Sequence, residues 1–329
     1  MNKKFGVKIL GTGLYFPKKV LTNADLAKMV DTSDEWIRTR TGIKERRISE
    51  RNETASDLAY MASSEALKSS NISPEQIDLI LVATITPDMF FPSTACLLQK
   101  KLGINSIAAF DLSAACSGFI YGIATAKAFI SSGFYKTVLL VGSETLSKIT
   151  DWNDRNTCVL FGDGAGAMIL SASEESDDVL SVYLGADGSY SDLLFMPGGG
   201  SANPTTIETV NQNFHTMKMQ GKDVFKAAVP KMALAAQKAL ELSGKKLEDI
   251  NLFIPHQANM RIIEAVAKKL DISMDRVFVN IHKTGNISSA TTITALDEAI
   301  KTGRVKRGDL VEMVAFGGGF TWGASVVRI

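Results

Sequence analysis

Metal and disulfide chemistry have little to work with in this sequence. It holds three cysteines, Cys96, Cys116 and Cys158, and three histidines. An odd cysteine count without CxxC or Cys/His ligand spacing argues against a disulfide framework and a zinc site. It points to reduced thiols and a cytoplasmic protein. Charge of one sign is also lacking: 36 Lys and Arg stand against 35 Asp and Glu, a formal net charge of +1. Without a global basic field, nucleic acid is a poor first partner. No apolar run reaches the roughly 18 residues that a membrane helix needs. The opening Met1-Asn2-Lys3-Lys4-Phe5-Gly6-Val7-Lys8 leads straight into a strand-like segment, without the apolar stretch and cleavage site of a signal peptide.

What is present is a long, ordinary globular composition. The 329 residues are 45% hydrophobic and 22% charged, which leaves no room for long disorder and implies two domains or one fused double domain. The chain repeats itself. Ile77-Asp78-Leu79-Ile80-Leu81 resembles Ile250-Asn251-Leu252-Phe253-Ile254, and Val138-Leu139-Leu140-Val141-Gly142 resembles Val311-Glu312-Met313-Val314-Ala315, both at an offset of 173 (250 − 77 and 311 − 138). Between the members of each pair the pattern reads helix, strand, helix: 93–102, 108–110 and 116–131 in the first half, then 258–270, 277–279 and 287–301 in the second. A β-α-β-α-β unit used twice implies parallel strands covered by helices, an α/β fold. The division falls as 1–181 and 182–329. Within the second part, the Gly-, Ser- and Thr-rich 182–222 serves as a connection, and 15–60 is a polar insertion in the first.

Some residues are placed for chemistry. Cys116, in Ala114-Ala115-Cys116-Ser117-Gly118, follows a strand at the first turn of an expected helix. There, unpaired N–H groups and the helix dipole favour a nucleophilic thiolate; the alternative is a buried structural cysteine. Cys96 and the strand-like Cys158-Val159-Leu160-Phe161 read as core. His256 ends the apolar strand 252–255, where ligands bind in α/β sheets, and Asn286 opens a helix, where it could equally be a plain N-cap. In the repeat, Cys116 and Asn286 occupy nearly corresponding turns. A pseudo-twofold would therefore bring Cys116, His256 and Asn286 to one crevice. Gly317-Gly318-Gly319 can bring backbone N–H groups to an oxyanion. Gly162-Asp163-Gly164-Ala165-Gly166 precedes a strand and not a helix, which rejects a dinucleotide loop.

Several stretches occurring together in order resemble the β-ketoacyl-acyl-carrier-protein synthase III family, of thiolase-like fold, over essentially the whole chain. They are Thr32-Ser33-Asp34-Glu35-Trp36-Ile37-Arg38-Thr39-Arg40-Thr41-Gly42-Ile43, the Cys116 turn, Thr157 to Gly166, His256-Gln257-Ala258-Asn259, Gly285-Asn286 with Ser288, and Phe316-Gly317-Gly318-Gly319. The sequence departs from the family pattern at Ile287-Ser288-Ser289 and Thr284. The resemblance implies α-β-α-β-α layers and a homodimer without a cofactor. It implies that Cys116 is acylated by acyl-CoA and then condensed with malonyl-acyl carrier protein, with loss of CO₂, in type II fatty acid synthesis. His256 and Asn286 would hold the malonyl thioester oxygen, and the backbones of Cys116 and Gly318 a second oxyanion. Trp36, Arg155, Arg40 and Asn259 would hold CoA, and Phe316 would line the acyl pocket, with Phe91 bordering it across the dimer interface. Arg261, Lys226, Lys268 and Lys269 would receive the carrier protein. Alternatives from the same residues are a thiolase, a relative using unusual primers for specialised lipids or polyketides, and a non-catalytic partner subunit.

Overall fold

The run Leu79-Ile80-Leu81-Val82-Ala83 is apolar at every position, the pattern of a strand covered on both faces. The computed structural model describes residues 5–329, so the first four residues of the opening read above for a signal peptide lie outside the described residues. In it these five residues form a buried strand. Leu79 and Leu81 face one core while Ile80 and Val82 face another, as the two-residue strand period requires.

The first sheet contains β1 (Gly6–Tyr15), β2 (Leu79–Ala83), β3 (Ala108–Leu112), β4 (Thr137–Thr145) and β5 (Asp163–Ser173), in the order β1-β5-β4-β2-β3. Strands β3, β2 and β4 are parallel, and β5 runs antiparallel to both β4 and β1. The second sheet contains β6 (Val179–Ala186), β7 (Leu252–Pro255), β8 (Leu310–Gly317) and β9 (Thr321–Arg328), in the order β7-β8-β9-β6. Read from β1 and from β6, the two orders coincide. The first residues of β1, β2 and β4 recur 173 positions later as those of β6, β7 and β8 (179 − 6, 252 − 79 and 310 − 137).

Helices form three layers around the sheets. Helices α2 (Ala55–Ser70) and α3 (Thr94–Leu102) cover the outer face of the first sheet. Helices α4 (Gly118–Ser131) and α7 (Thr291–Lys301) fill the space between the sheets through Phe119, Ile120, Ile123, Ile293 and Leu296. Helices α5 (Gly221–Ser243) and α6 (Met260–Lys269) cover the outer face of the second. The insertion holds a hairpin, Lys19–Thr22 with Glu45–Ile48, and α1 (Asp34–Thr41). No helix among the described residues is long and apolar enough to cross a membrane.

Three sequence expectations are corrected. First, residues 277–279 form no strand: only Val277 bridges Phe253. The Gln257 side chain takes over the pairing here. Its amide nitrogen donates to Pro255 O at 2.7 Å and Phe278 O at 3.1 Å, and its oxygen accepts from Asn280 N at 3.1 Å. Second, Cys158 ends a helical turn, Arg155–Cys158, rather than entering a strand. The Asp154 side chain caps that turn by accepting from Asn156 N at 3.0 Å, and Phe161 alone bridges Asn286. Third, the connection starts later than expected, because β6 runs to Ala186; a division at 181/182 cuts this strand, and the sheets themselves part between Ser173 and Val179. The Gly162–Gly166 stretch lies mostly within β5, where a Cβ on Gly166 would meet Ile293 Cγ2 at 2.5 Å, so that glycine serves packing against α7.

Candidate active site

Cys116 sits in a single 3₁₀ turn, Ala115–Ser117, between β3 and α4. The turn is strained, with Ala115 at φ 46. It is also crowded. A Cβ on Gly317 would lie 2.5 Å from the Cys116 amide nitrogen, so only glycine lets the end of β8 approach this backbone. The thiol is buried and pushed up to about 12, first by desolvation, with the Glu144 carboxylate adding to the rise and the neighbouring Ser288 side chain opposing it. The helix-start argument for a resting thiolate is therefore outweighed: Cys116 is a protonated thiol at neutral pH.

His256 follows β7 and is buried, and desolvation lowers its pKa to about 3, so the ring is neutral. Its Nδ1 lies 2.6 Å from Thr291 Oγ1, whose hydroxyl also reaches Ser288 O as a donor at 2.9 Å. That hydroxyl has one proton: given to Ser288 O it puts the ring proton on Nδ1, and given to Nδ1 it puts the ring proton on Nε2, the tautomer that donates to an oxyanion. Asn286 is fixed from both sides. Its N donates to Leu160 O at 2.9 Å and its O accepts from Gly162 N at 3.0 Å. Its Oδ1 accepts from Ser288 N at 2.8 Å, which leaves Nδ2 as the free donor of the carboxamide.

Cys116, His256, Asn286, Phe316, Gly318 and Asn259 line one cavity of about 310 Å³. Sequence reasoning missed most of its apolar wall: Ile85, Leu146, Ile149, Leu160, Phe161, and, from the connection, Leu194 and Met217. Their signal was weak, because Leu146, Phe161 and Met217 form a small cluster assembled from three distant segments. Phe91 lies outside this cavity and is exposed on the surface of its own chain.

Three of the four residues expected at CoA lie together, and Asn259 lies apart from them in the cavity wall. Two guanidinium groups lie over the Trp36 ring on α1, Arg40 Cζ at 4.7 Å and Arg155 Cζ at 4.8 Å from its centre. Arg155 Nη1 also donates to Asp31 O at 2.8 Å. Asn259 caps α6, accepting from Arg261 N at 2.9 Å. Arg261, Lys268 and Lys269 are exposed on α6 while Ile262, Val266 and Leu270 are buried. Lys226 is exposed on α5 and pairs with Asp223 at 2.9 Å. No group of three or more metal-ligating side chains occurs among the described residues.

Residues 110–188 match the family described as 3-oxoacyl-[acyl-carrier-protein (ACP)] synthase III, and residues 240–329 match its C-terminal part. Among curated proteins, the chain is similar to the β-ketoacyl-[acyl-carrier-protein] synthase III of Caldanaerobacter subterraneus subsp. tengcongensis, at 55% identity over 328 residues, covering 100% of this chain and 99% of that one. Among solved structures, the 3-oxoacyl-[acyl-carrier-protein] synthase III of Aquifex aeolicus shares 52% identity and a TM-score of 0.92, covering 98% of this chain and 100% of that one. The priming β-ketosynthase from the R1128 polyketide biosynthetic pathway superposes with a TM-score of 0.93 at 33% identity, covering 100% of this chain and 98% of that one.

Proposed function

Because the chain belongs to the 3-oxoacyl-[acyl-carrier-protein] synthase III family of thiolase-like condensing enzymes, we propose that Cys116 is its acylated nucleophile, with His256 and Asn286 as the donors that drive decarboxylation. The protein is an acyltransferase. It condenses an acyl-CoA primer with malonyl-acyl carrier protein, giving a β-ketoacyl-carrier protein, CO₂ and CoA, at the priming step of type II fatty acid synthesis. The sulfur of Cys116 takes the acyl group from CoA. Malonyl-carrier protein then loses CO₂, and the enolate attacks the acyl-sulfur carbonyl.

Loss of CO₂ generates the carbanion, so no strong base is required in this half. The requirement is hydrogen-bond donors where negative charge grows on the malonyl thioester oxygen. One observation carries the reading: His256 and Asn286 share the Cys116 cavity, and Asn286 has its oxygen occupied and its NH₂ free. The backbone N–H groups of Cys116 and Gly318 form the second oxyanion site.

In this reading the first half of the chain supplies Cys116 and the second supplies His256 and Asn286. CoA enters past Asn259 with its adenine at Trp36 and Arg155 and its phosphates near Arg40. The acyl chain lies against Phe316, and the exposed Phe91 borders the pocket of the second subunit in a homodimer. The carrier protein docks on Arg261, Lys268 and Lys269 with Lys226. Three unpaired cysteines suit the cytoplasm. The test is incubation with acyl-CoA alone and peptide mass spectrometry. The expected adduct is on Cys116; acylation of Cys96 or Cys158 with Cys116 free would overturn the assignment.

A further inference from the structure

Decarboxylation asks for two N–H donors aimed at one oxygen, and a single turn sets them both. The turn runs from Asn286 to Thr291, where α7 begins. Ser288 lies inside it, buried and held at φ 47, a conformation that residues other than glycine keep only where their surroundings enforce it. The strained residue uses both of its backbone groups. Its N–H donates to Asn286 Oδ1 at 2.8 Å, which turns the carboxamide so that Nδ2 is the free donor. Its carbonyl accepts from Thr291 N and lies 2.9 Å from Thr291 Oγ1.

Thr291 passes the constraint on to His256. Its hydroxyl oxygen lies 2.6 Å from His256 Nδ1, the one hydrogen bond that the ring makes among the described residues. Both side chains are buried, so neither can turn to bulk solvent for a partner. A threonine at a helix start, with its oxygen close to the carbonyl three residues back, has little rotamer freedom. The hydroxyl is therefore a fixed point against which the imidazole is placed.

That hydroxyl has one proton and two acceptors in reach. The Ser288 carbonyl already holds the Thr291 N–H, so it stays satisfied without the hydroxyl. Nδ1 has no other donor, it is the nearer of the two, and an imidazole nitrogen is a more basic acceptor than an amide oxygen. Given to Nδ1, the proton leaves the ring's own proton on Nε2.

We propose that Thr291 is a positioning residue for His256: its hydroxyl donates to Nδ1 and so keeps the ring N–H on Nε2, where the malonyl thioester oxygen is held. This rests on His256 being a decarboxylation donor, as read above. The opposite arrangement, Nδ1–H to Thr291 and the hydroxyl to Ser288 O, would present a lone pair to an oxygen that is gaining negative charge. Hydrogen bonds to an ionised acceptor are roughly twice as strong as neutral ones. The bond gained at Nε2 therefore outweighs the neutral one released at Ser288 O. Thr291 touches no reacting atom and transfers no proton. Acylation of Cys116 does not use this donor, so the threonine belongs to the second half-reaction alone.

The first measurement is NMR of isotopically labelled histidine ring nitrogens in the wild-type enzyme. The chain holds three histidines, and His256 is the ring whose signals vanish in His256→Ala. Its proton should be on Nε2; a proton on Nδ1 would overturn the proposal. The second compares Thr291→Val, which replaces the hydroxyl by a methyl, with Thr291→Ser, which keeps it. Thr291→Val should decarboxylate malonyl-carrier protein about tenfold more slowly, the upper end for one neutral hydrogen bond. Its KM for that substrate and its rate of Cys116 acylation should stay close to wild type, as should every rate of Thr291→Ser. In a His256→Ala background Thr291→Val should cost nothing further, because the ring it acts through is gone. Equal slowing of both half-reactions, or the same loss in the His256→Ala background, would mean that the hydroxyl serves only packing. If His256→Ala decarboxylates at the wild-type rate, the donor reading falls and the role of Thr291 with it. If His256→Ala is slow and Thr291→Val is not, Thr291 alone loses its role. Should Thr291→Val fail to fold, the wild-type tautomer still decides.

Discussion

A thiol and an imidazole buried at one largely apolar cavity both lose their charged forms, Cys116 pushed up to about 12 and His256 down to about 3. A neutral imidazole with its proton on Nε2 suits an oxyanion donor, because that N–H keeps its place over a wide pH range. The decarboxylation half-reaction should therefore show no inflection near pH 6.5. Protonation of His256 waits until about pH 3, so the neutral donor persists as pH falls from 7 to 5. A pH profile of malonyl-carrier protein decarboxylation checks this; a step near 6.5 would contradict the buried, neutral ring. Replacing His256 or Asn286 by alanine should slow the same step by roughly 10²–10³, about 3–4 kcal/mol of transition-state stabilisation. Acylation of Cys116 should survive in both variants, and normal condensation rates in both would assign the two residues to structure alone. Cys116 and His256 were legible because each stands beyond a strand, where α/β sheets place ligands, and Asn286 because its turn corresponds in the repeat to that of Cys116. The apolar wall of the cavity was not: Leu146, Phe161 and Met217 come from separate segments and show no common pattern until the fold packs them together.

Elements with strong periodicity were equally plain, and those held by side chains were not. Helix α6 shows its apolar stripe in the sequence, whereas the missing strand at 277–279 depends on the Gln257 amide and the turn at 155–158 on the Asp154 cap. Two predictions belong to this scale. Arg261 is exposed at the start of α6, two residues after the cavity-lining Asn259, and donates to Thr39 O at 3.3 Å. Arg261→Glu should raise KM for malonyl-carrier protein, more so at low salt, because rim charges act mostly by steering and are screened. Acylation by acyl-CoA should change much less; equal effects on both half-reactions would remove α6 as the docking surface. The second concerns α1. With Arg155 Cζ 4.8 Å from the centre of the Trp36 ring, no flat base fits between them, since two stacked contacts need about 7 Å. In the proposed binding mode, an adenine stacked between them would displace Arg155 from its contact with Asp31 O. Trp36→Ala should raise KM for acyl-CoA about tenfold, or about 1.4 kcal/mol, with little change in the KM for malonyl-carrier protein. An unchanged acyl-CoA KM would place the nucleotide elsewhere.

At the scale of the whole molecule, the duplication explains why one cavity draws on both halves: corresponding turns of the two sheets meet where α4 and α7 begin. Repetition of strand order does not require repetition of core chemistry, and β8 carries an acid where the sheet packs on α5 and α6. Glu312 lies in register between Phe253 and Val326, buried, with neither carboxyl oxygen partnered among the described residues. Desolvation raises its pKa well above the usual carboxylate range. In the folded protein it keeps its proton at pH values where the unfolded chain has already lost it, above about pH 4.3. The folded state then binds more protons than the unfolded one, so stability falls as pH rises, by about 1.4 kcal/mol per pH unit until the folded carboxyl itself ionises. Glu312→Leu removes both the unpartnered acid and this linkage. The variant should be more stable than wild type by roughly 1–3 kcal/mol near pH 7, the cost of an unsatisfied buried polar group, and its lead should widen with rising pH. Glu144 and Asp163, whose burial also raises their pKa, tilt both proteins alike and cancel in the difference. Urea unfolding of the two proteins at pH 5.5, 7.0 and 8.5 reads that difference directly. A variant less stable than wild type at every pH, or a gap that does not change with pH, would mean that Glu312 is satisfied in the folded protein.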